Sequence, residues 1–228
     1  MSDAPPPGLA ERLAGVRDAI ADASRDAGRD PDGITLIVVT KFHPASLVRE
    51  LAALGQRDFG ENRHQEARPK AASLTDIDAT WHFVGQLQSN KARQVREYAD
   101  FIHTLDRESL VAALGGAGRP VDVFLQLNLT DDLARGGARE SDLPVLAERV
   151  LATPGLSLRG LMAVAPLGEE PRRAFERVRL ASELVRRTAP EATALSMGMS
   201  GDFADAIREG ATHLRIGTAI TGNRPTPG

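Results

Sequence analysis

Eight short apolar or β-branched runs divide this chain, and segments with apolar residues every three to four positions lie between them. That alternation constrains the fold severely. A strand that feeds a helix and then a parallel strand crosses over right-handedly, and repeated crossovers build a parallel sheet. Strands are predicted over residues 34–41, 58–61, 81–85, 101–105, 121–129, 158–164, 194–197 and 213–216. Helices are predicted over 44–54, 63–73, 91–98, 108–114, 142–151, 171–188 and 203–209, with one more opening the chain over 7–27. Pro44 suits a first helical turn and Gly55 a helix C-terminus. Leu47, Val48, Leu51 and Leu54 form the buried stripe between them. Ser141 is a candidate N-cap, and Gly210 closes the helix before the last strand.

Eight such units imply a closed α/β barrel, a single (β/α)8 TIM barrel, with the opening helix plugging or covering one end. An open doubly wound sheet is the alternative. It is disfavoured because no Gly-x-Gly-x-x-Gly follows the first strand. The 228 residues suit one barrel domain over 1–228, with the ends 1–6 and 224–228 expected to fray.

Composition narrows the function. A net charge of −3 gives no sign of nucleic-acid binding. The absence of cysteine excludes disulfides and thiolate chemistry. The first residues lack a basic and then apolar leader, and no apolar stretch reaches membrane-spanning length, so a soluble cytoplasmic protein is expected. The five histidines show no paired helical spacing, so no metal set is expected.

In a barrel, working residues gather where strands end at their carboxyl side. The first strand ends in Lys41. Only Lys41, Lys70 and Lys91 among the 28 basic residues are lysine, leaving 25 arginines. Unlike arginine, lysine can lose its proton when desolvated and attack a carbonyl. Loops after strands seven and eight form the recurrent phosphate site of such barrels. Here they carry Ser196-Met197-Gly198-Met199-Ser200-Gly201 and Arg215-Ile216-Gly217-Thr218. Backbone N–H groups at Ser200-Gly201, close approach at Gly217 and the Thr218 hydroxyl suit an anion. An amine at one side and a phosphate site at the other meet the needs of pyridoxal 5′-phosphate (PLP). Each residue also has a plainer reading: an exposed lysine, an N-cap, a turn glycine, and for His82 a hydrogen-bonded core histidine.

The motifs Val38-Val39-Thr40-Lys41, Phe59-Gly60-Glu61-Asn62, Trp81-His82-Phe83-Val84-Gly85-Gln86-Leu87-Gln88-Ser89-Asn90-Lys91, Ser196-Met197-Gly198-Met199-Ser200 and Arg215-Ile216-Gly217-Thr218-Ala219-Ile220 together resemble the pyridoxal-phosphate homeostasis family. The resemblance implies a barrel like the N-terminal domain of fold-type III PLP enzymes such as alanine racemase. It implies PLP as cofactor, Lys41 as the Schiff-base lysine, and Ser200, Gly217 and Thr218 around the phosphate. It also places Arg215 at the pyridine nitrogen, Asn62 and His82 in the pocket, and Ser196 and Met199 among the cofactor contacts. Three positions depart from the family pattern: Gly201 where an acid is common, Thr221 where a bulkier apolar residue is common, and Arg135 where lysine is common.

Arg215 at the pyridine nitrogen can only donate, which makes the ring a weak electron sink. Racemisation would need a second acid–base group, and the sole tyrosine, Tyr98, falls in a predicted helix. The chain also ends just past the eighth strand, without room for a racemase's second domain. The expectation is therefore a monomeric PLP carrier serving vitamin B6 homeostasis, with apo-enzymes as recipients. A low-activity amino-acid racemase is the alternative, and a barrel binding another phosphorylated metabolite without a Schiff base is a third.

Overall fold

The longest paired helix illustrates how the alternation becomes structure. Residues 171–188 place Ala174, Phe175, Val178, Ala181, Ser182 and Val185 on one buried stripe, with charged side chains around the rest. Pro171 occupies the first turn, where its missing N–H costs nothing. Burial of Phe175 alone contributes about 2 kcal/mol.

The computed structural model describes residues 8–130, 132 and 135–223. The helices are α1 (Leu9–Asp26), α2 (Ala45–Ala53), α3 (His64–Ala72), α4 (Ala92–Arg96), α5 (Glu108–Leu114), α6 (Leu143–Leu151), α7 (Pro171–Thr188), α8 (Phe203–Arg208) and α9 (Thr218–Thr221). The strands are β1 (Thr35–Val39), β2 (Asp58–Glu61), β3 (Thr80–Phe83), β4 (Phe101–Leu105), β5 (Val121–Gln126), β6 (Leu156–Met162), β7 (Ala194–Ser196) and β8 (His213–Ile216). They form a closed parallel barrel in sequential order. Closure comes from β1 pairing with β8, where Val38 lies opposite Ile216 while it also faces Phe59 of β2. β5 is buried along almost its whole length, as a strand covered on both faces must be.

The barrel's interior is unusually aromatic and polar. His82, Phe101, His103, Phe124 and His213, from β3, β4, β5 and β8, pack ring against ring around the axis. The apolar shell lies between the strands and the helices, in residues such as Val48, Leu51, Leu110, Val150 and Val178.

The barrel expectation holds, with local corrections. The opening helix packs against α8 and α9, where Arg12 Nε donates to the Ile220 carbonyl at 2.7 Å, and its Arg17 donates to Gln56 Oε1 at 3.2 Å beside the start of β2. Ser141 is not the N-cap of α6. It lies in a short 3₁₀ turn, and Asp142 takes the cap position. The expected frayed segments 1–6 and 224–228 lie outside the described residues. No helix among the described residues is long and apolar enough to cross a membrane.

Candidate active site at the carboxyl ends of the strands

Lys41 is held by its neighbours on both sides. Thr40 just before it donates through Oγ1 to Glu61 Oε1 at 2.7 Å. The carbonyl of Thr40 accepts from Lys70 Nζ at 2.9 Å, and the same ammonium meets Glu61 Oε1 at 2.5 Å. Lys70 and Glu61 are both buried, so this is a desolvated ion pair. Burial raises the Glu61 carboxyl above its ordinary range, with Lys70 and Thr40 opposing that push. Glu61 Oε2 stays buried without a hydrogen-bond partner.

On the other side, Phe42 adopts φ 68°, the left-handed region that non-glycine residues rarely occupy. Its N–H donates to Glu66 Oε2 at 3.1 Å. The Arg63 guanidinium lies 4.9 Å from the Phe42 ring centre, within cation–π range. The turn throws the exposed Lys41 side chain over the mouth of the barrel.

Across that mouth the chain leaves β7 through Gly198, whose φ of 96° lets the loop reverse towards α8. Asp202 Oδ1 accepts the Met199 N–H at 2.6 Å and shapes this loop. Burial raises the Asp202 carboxyl, with the Met199 N–H and Arg215 opposing. The N–H groups of Ser200 and Gly201 have no backbone acceptor among the described residues. The first N–H groups of α9, at Thr218, have none by helix geometry.

Arg215 on β8 reaches into the same region. Its Nη1 donates to the Ser196 carbonyl at 2.6 Å and to Ser196 Oγ at 2.7 Å, and its Nη2 donates to the Ala163 carbonyl at 2.8 Å. Three of the five N–H groups of a guanidinium are thereby occupied, leaving two without an acceptor among the described residues. Burial pushes its pKa down to about 10, partly opposed by Asp202, which keeps it protonated at neutral pH.

These groups surround one cavity of about 410 Å³, a size usual for small-molecule sites. Lys41, Asn62, Met199, Ser200, Arg215, Gly217 and Thr218 line it, with Val39, Val84 and Val164 as apolar walls. Ser196 lies beneath Arg215, fully buried. His82 does not reach the cavity. It is a core histidine stacked on Phe101 at 4.5 Å, with Asp58 and His103 as hydrogen-bond partners. Tyr98 is also elsewhere: its ring stacks on His64 of α3, and its hydroxyl lies 3.5 Å from His64 Nδ1.

Sequence reasoning missed the Lys70–Glu61–Thr40 cluster and the strained turn at Phe42. The scarcity of lysine could have flagged Lys70; nothing local in the sequence marks Phe42. Gly85 is a further silent requirement. A Cβ there would sit 2.0 Å from the Asn62 carbonyl oxygen, so only glycine lets these two loops touch. Among the described residues, no group of three His, Asp or Glu side chains could hold a metal ion.

Comparison with known proteins places this geometry in context. Residues 18–225 match the family described as alanine racemase, N-terminal domain. The pyridoxal phosphate homeostasis protein of Pseudomonas aeruginosa is 44% identical over 223 residues, covering 95% of this chain and 96% of that one. The Escherichia coli K12 protein of the same name is 41% identical over 226 residues, covering 95% and 97%. The structure of PipY from Synechococcus elongatus with PLP bound superposes with a TM-score of 0.82 at 40% identity, covering 94% of this chain and 100% of that one. Alanine racemase of Corynebacterium glutamicum, at 19% identity and a TM-score of 0.71, shares the barrel over 63% of its length.

Proposed function

This chain belongs to the pyridoxal phosphate homeostasis proteins of the alanine racemase N-terminal-domain family, and from that premise we propose that it binds PLP and holds it for delivery. One observation carries the reading: a single cavity collects a lysine amine, two spare guanidinium N–H groups and unpaired backbone N–H groups. That donor set fits an anionic, aldehyde-bearing heterocycle. Bound PLP supplies an aldehyde that condenses reversibly with an amine, with loss of water.

In this reading Lys41 is the covalent tether. The N–H groups of Ser200, Gly201 and Thr218 dock the phosphate, with Gly217 allowing close approach. Arg215 donates to the pyridine nitrogen and keeps it unprotonated, while Asn62, Met199 and the three valines wall the ring. Gly201, where the family commonly carries an acid, keeps its N–H for the anion. The acid stands one position on, as Asp202, and is spent on the Met199 N–H.

The same geometry favours storage over turnover. Arg215 gives the ring no proton, which weakens it as an electron sink. Tyr98 is engaged with His64 away from the cavity and offers no second acid–base group there. The visible absorbance of purified protein after PLP addition, compared with Lys41→Ala, tests the tether: a band in the first and none in the second is expected. Incubation with single enantiomers of alanine and serine tests the non-catalytic reading. Sustained racemisation that Lys41→Ala abolishes would overturn it.

A further inference from the structure

Five side chains inside the barrel form one continuous hydrogen-bonded file. Arg215 Nη1 meets Ser196 Oγ at 2.7 Å, and Ser196 Oγ meets His103 Nδ1 at 2.8 Å. His103 Nε2 meets His82 Nδ1 at 2.9 Å, and His82 Nε2 meets Asp58 Oδ1 at 3.0 Å. Ser196, His82, His103 and Arg215 are all buried, whereas the Asp58 side chain is 27% exposed. Asp58 sits at the amino-terminal pole, lining a cavity of about 490 Å³ with Arg17, Thr35 and Gln56. The file therefore runs from one pole of the barrel to the site at the other.

Its direction is fixed at both ends. A carboxylate only accepts and a guanidinium only donates. Asp58 therefore requires Nε2–H on His82, whose Nδ1 must then accept. That requires Nε2–H on His103, whose Nδ1 must accept in turn, from the Ser196 hydroxyl. Ser196 Oγ is then free to accept from Arg215, so the demands of the two ends agree without a mismatch. One extra proton on His82 would reverse the upper bonds. His103 would donate to Ser196, and the serine hydrogen would lose its acceptor. Burial holds His103 well below the ordinary histidine range, with His82, Arg215 and His213 adding to the effect, so its neutral form is favoured. The Phe101 and Phe124 rings and His213 pack against the file, Asp202 acts electrostatically on Arg215 at its upper end, and Arg159 acts on His213.

We propose that Asp58, His82 and His103 are positioning residues for the cofactor: they hold Ser196 and Arg215 in one donor arrangement, so the state of Asp58 at the far pole is felt at the pyridine nitrogen. The inference rests on the PLP reading. It gives the buried histidines a task beyond packing.

Two measurements test it. Histidine ring ¹⁵N–¹H NMR of the PLP-free protein near neutral pH should find Nε2–H tautomers for both His82 and His103. An Nδ1–H tautomer or an imidazolium at either overturns the proposal. For PLP-loaded protein, Asp58→Asn keeps an oxygen acceptor and removes the charge. It should change the rate of PLP loss by about fivefold and shift the pH dependence of the visible band. Ser196→Ala cuts the file beside Arg215, so Asp58→Asn should have no further effect in that background. A band indifferent to Asp58→Asn, or independent additive effects of the two changes, overturns the inference alone. A wild-type protein that gains no visible band with PLP overturns the cofactor reading and this inference with it.

Discussion

Glu66 Oε2 accepts the backbone N–H of Phe42 at 3.1 Å, and Phe42 holds φ 68° immediately after Lys41. A carboxylate on α3 thus secures a backbone conformation that costs on the order of 1 kcal/mol or more. The direction of the Lys41 side chain is set by this strained turn as much as by β1.

Glu66→Ala should lower stability by about 1 kcal/mol, because it removes a charge-assisted hydrogen bond. It should also speed PLP release by letting the turn relax. Glu66→Gln keeps an acceptor and should restore most of both. Urea unfolding and stopped-flow loss of the visible band check the two readouts. Equal behaviour of the two variants would show that Glu66 does not hold the turn through this contact.

Lys70→Met should cost about 3 to 5 kcal/mol, since it strands the Glu61 carboxylate in the core. The double change Lys70→Met with Glu61→Gln should recover a large part of that loss. Chemical denaturation of the three variants gives the coupling directly. If the double variant were as unstable as the sum of the singles, the pair would not be coupled.

Gly85→Ala should lower the melting temperature by roughly 10 °C. The new methyl would meet the Asn62 carbonyl at 2.0 Å, and a clash of that kind costs about 3 kcal/mol. Thermal unfolding followed by circular dichroism decides this. An unchanged melting temperature would mean that the Asn62 loop yields freely.

His213 sets an acid limit on stability. Burial lowers its pKa from 6.5 to about 4, with His82, Arg159 and Arg215 adding to the shift and Asp58 opposing it. The unfolded chain therefore takes up a proton between pH 6.5 and 4 that the folded chain refuses. The stability associated with neutral His213 is fully present above pH 6.5 and is lost as pH falls towards 4, up to about 3 kcal/mol. His213→Gln should flatten that slope. Glu61 and Asp202, whose carboxyls are raised, act in the opposite sense but equally in both proteins. Urea titrations at pH 8, 6 and about 4.5 measure the difference. Parallel slopes for the two proteins would refute it.

Much of this architecture is legible from periodicity. The intervals 58–61, 101–105, 108–114, 171–188 and 213–216 match their observed elements end to end, because long periodic stripes and β-branched runs are strong local signals. Strand ends drifted where apolar residues continue past the end of the strand, as at Leu127 and Leu129 after β5. Seven of the nine residues singled out for the site meet at one cavity, because all lie near or just past the carboxyl ends of strands at the same pole. His82 escaped because the position of a residue along a strand does not reveal its depth in the barrel. It stands above Asp58 but below the mouth, and only the register of β3 against β2, with His82 opposite Gly60, fixes that height. Phe42 escaped because a left-handed phenylalanine has no sequence signature. Lys70 escaped because its partners, Glu61 and the Thr40 carbonyl, become neighbours only through α3 packing on β1 and β2.

The closure of β1 onto β8 has a consequence in time as well as space. Lys41 is made early in synthesis, and Arg215, Gly217 and Thr218 are made last. They become neighbours only when Val38 finds Ile216, the pairing of greatest sequence separation in the sheet. A growing chain therefore has no site until its final strand emerges, and ring closure bears the largest loop entropy of any pairing in the barrel. A ligand that bridges Lys41 and the α9 end clasps that seam. PLP should then act as a staple on the last step of folding, slowing the opening of the barrel by its own occupancy.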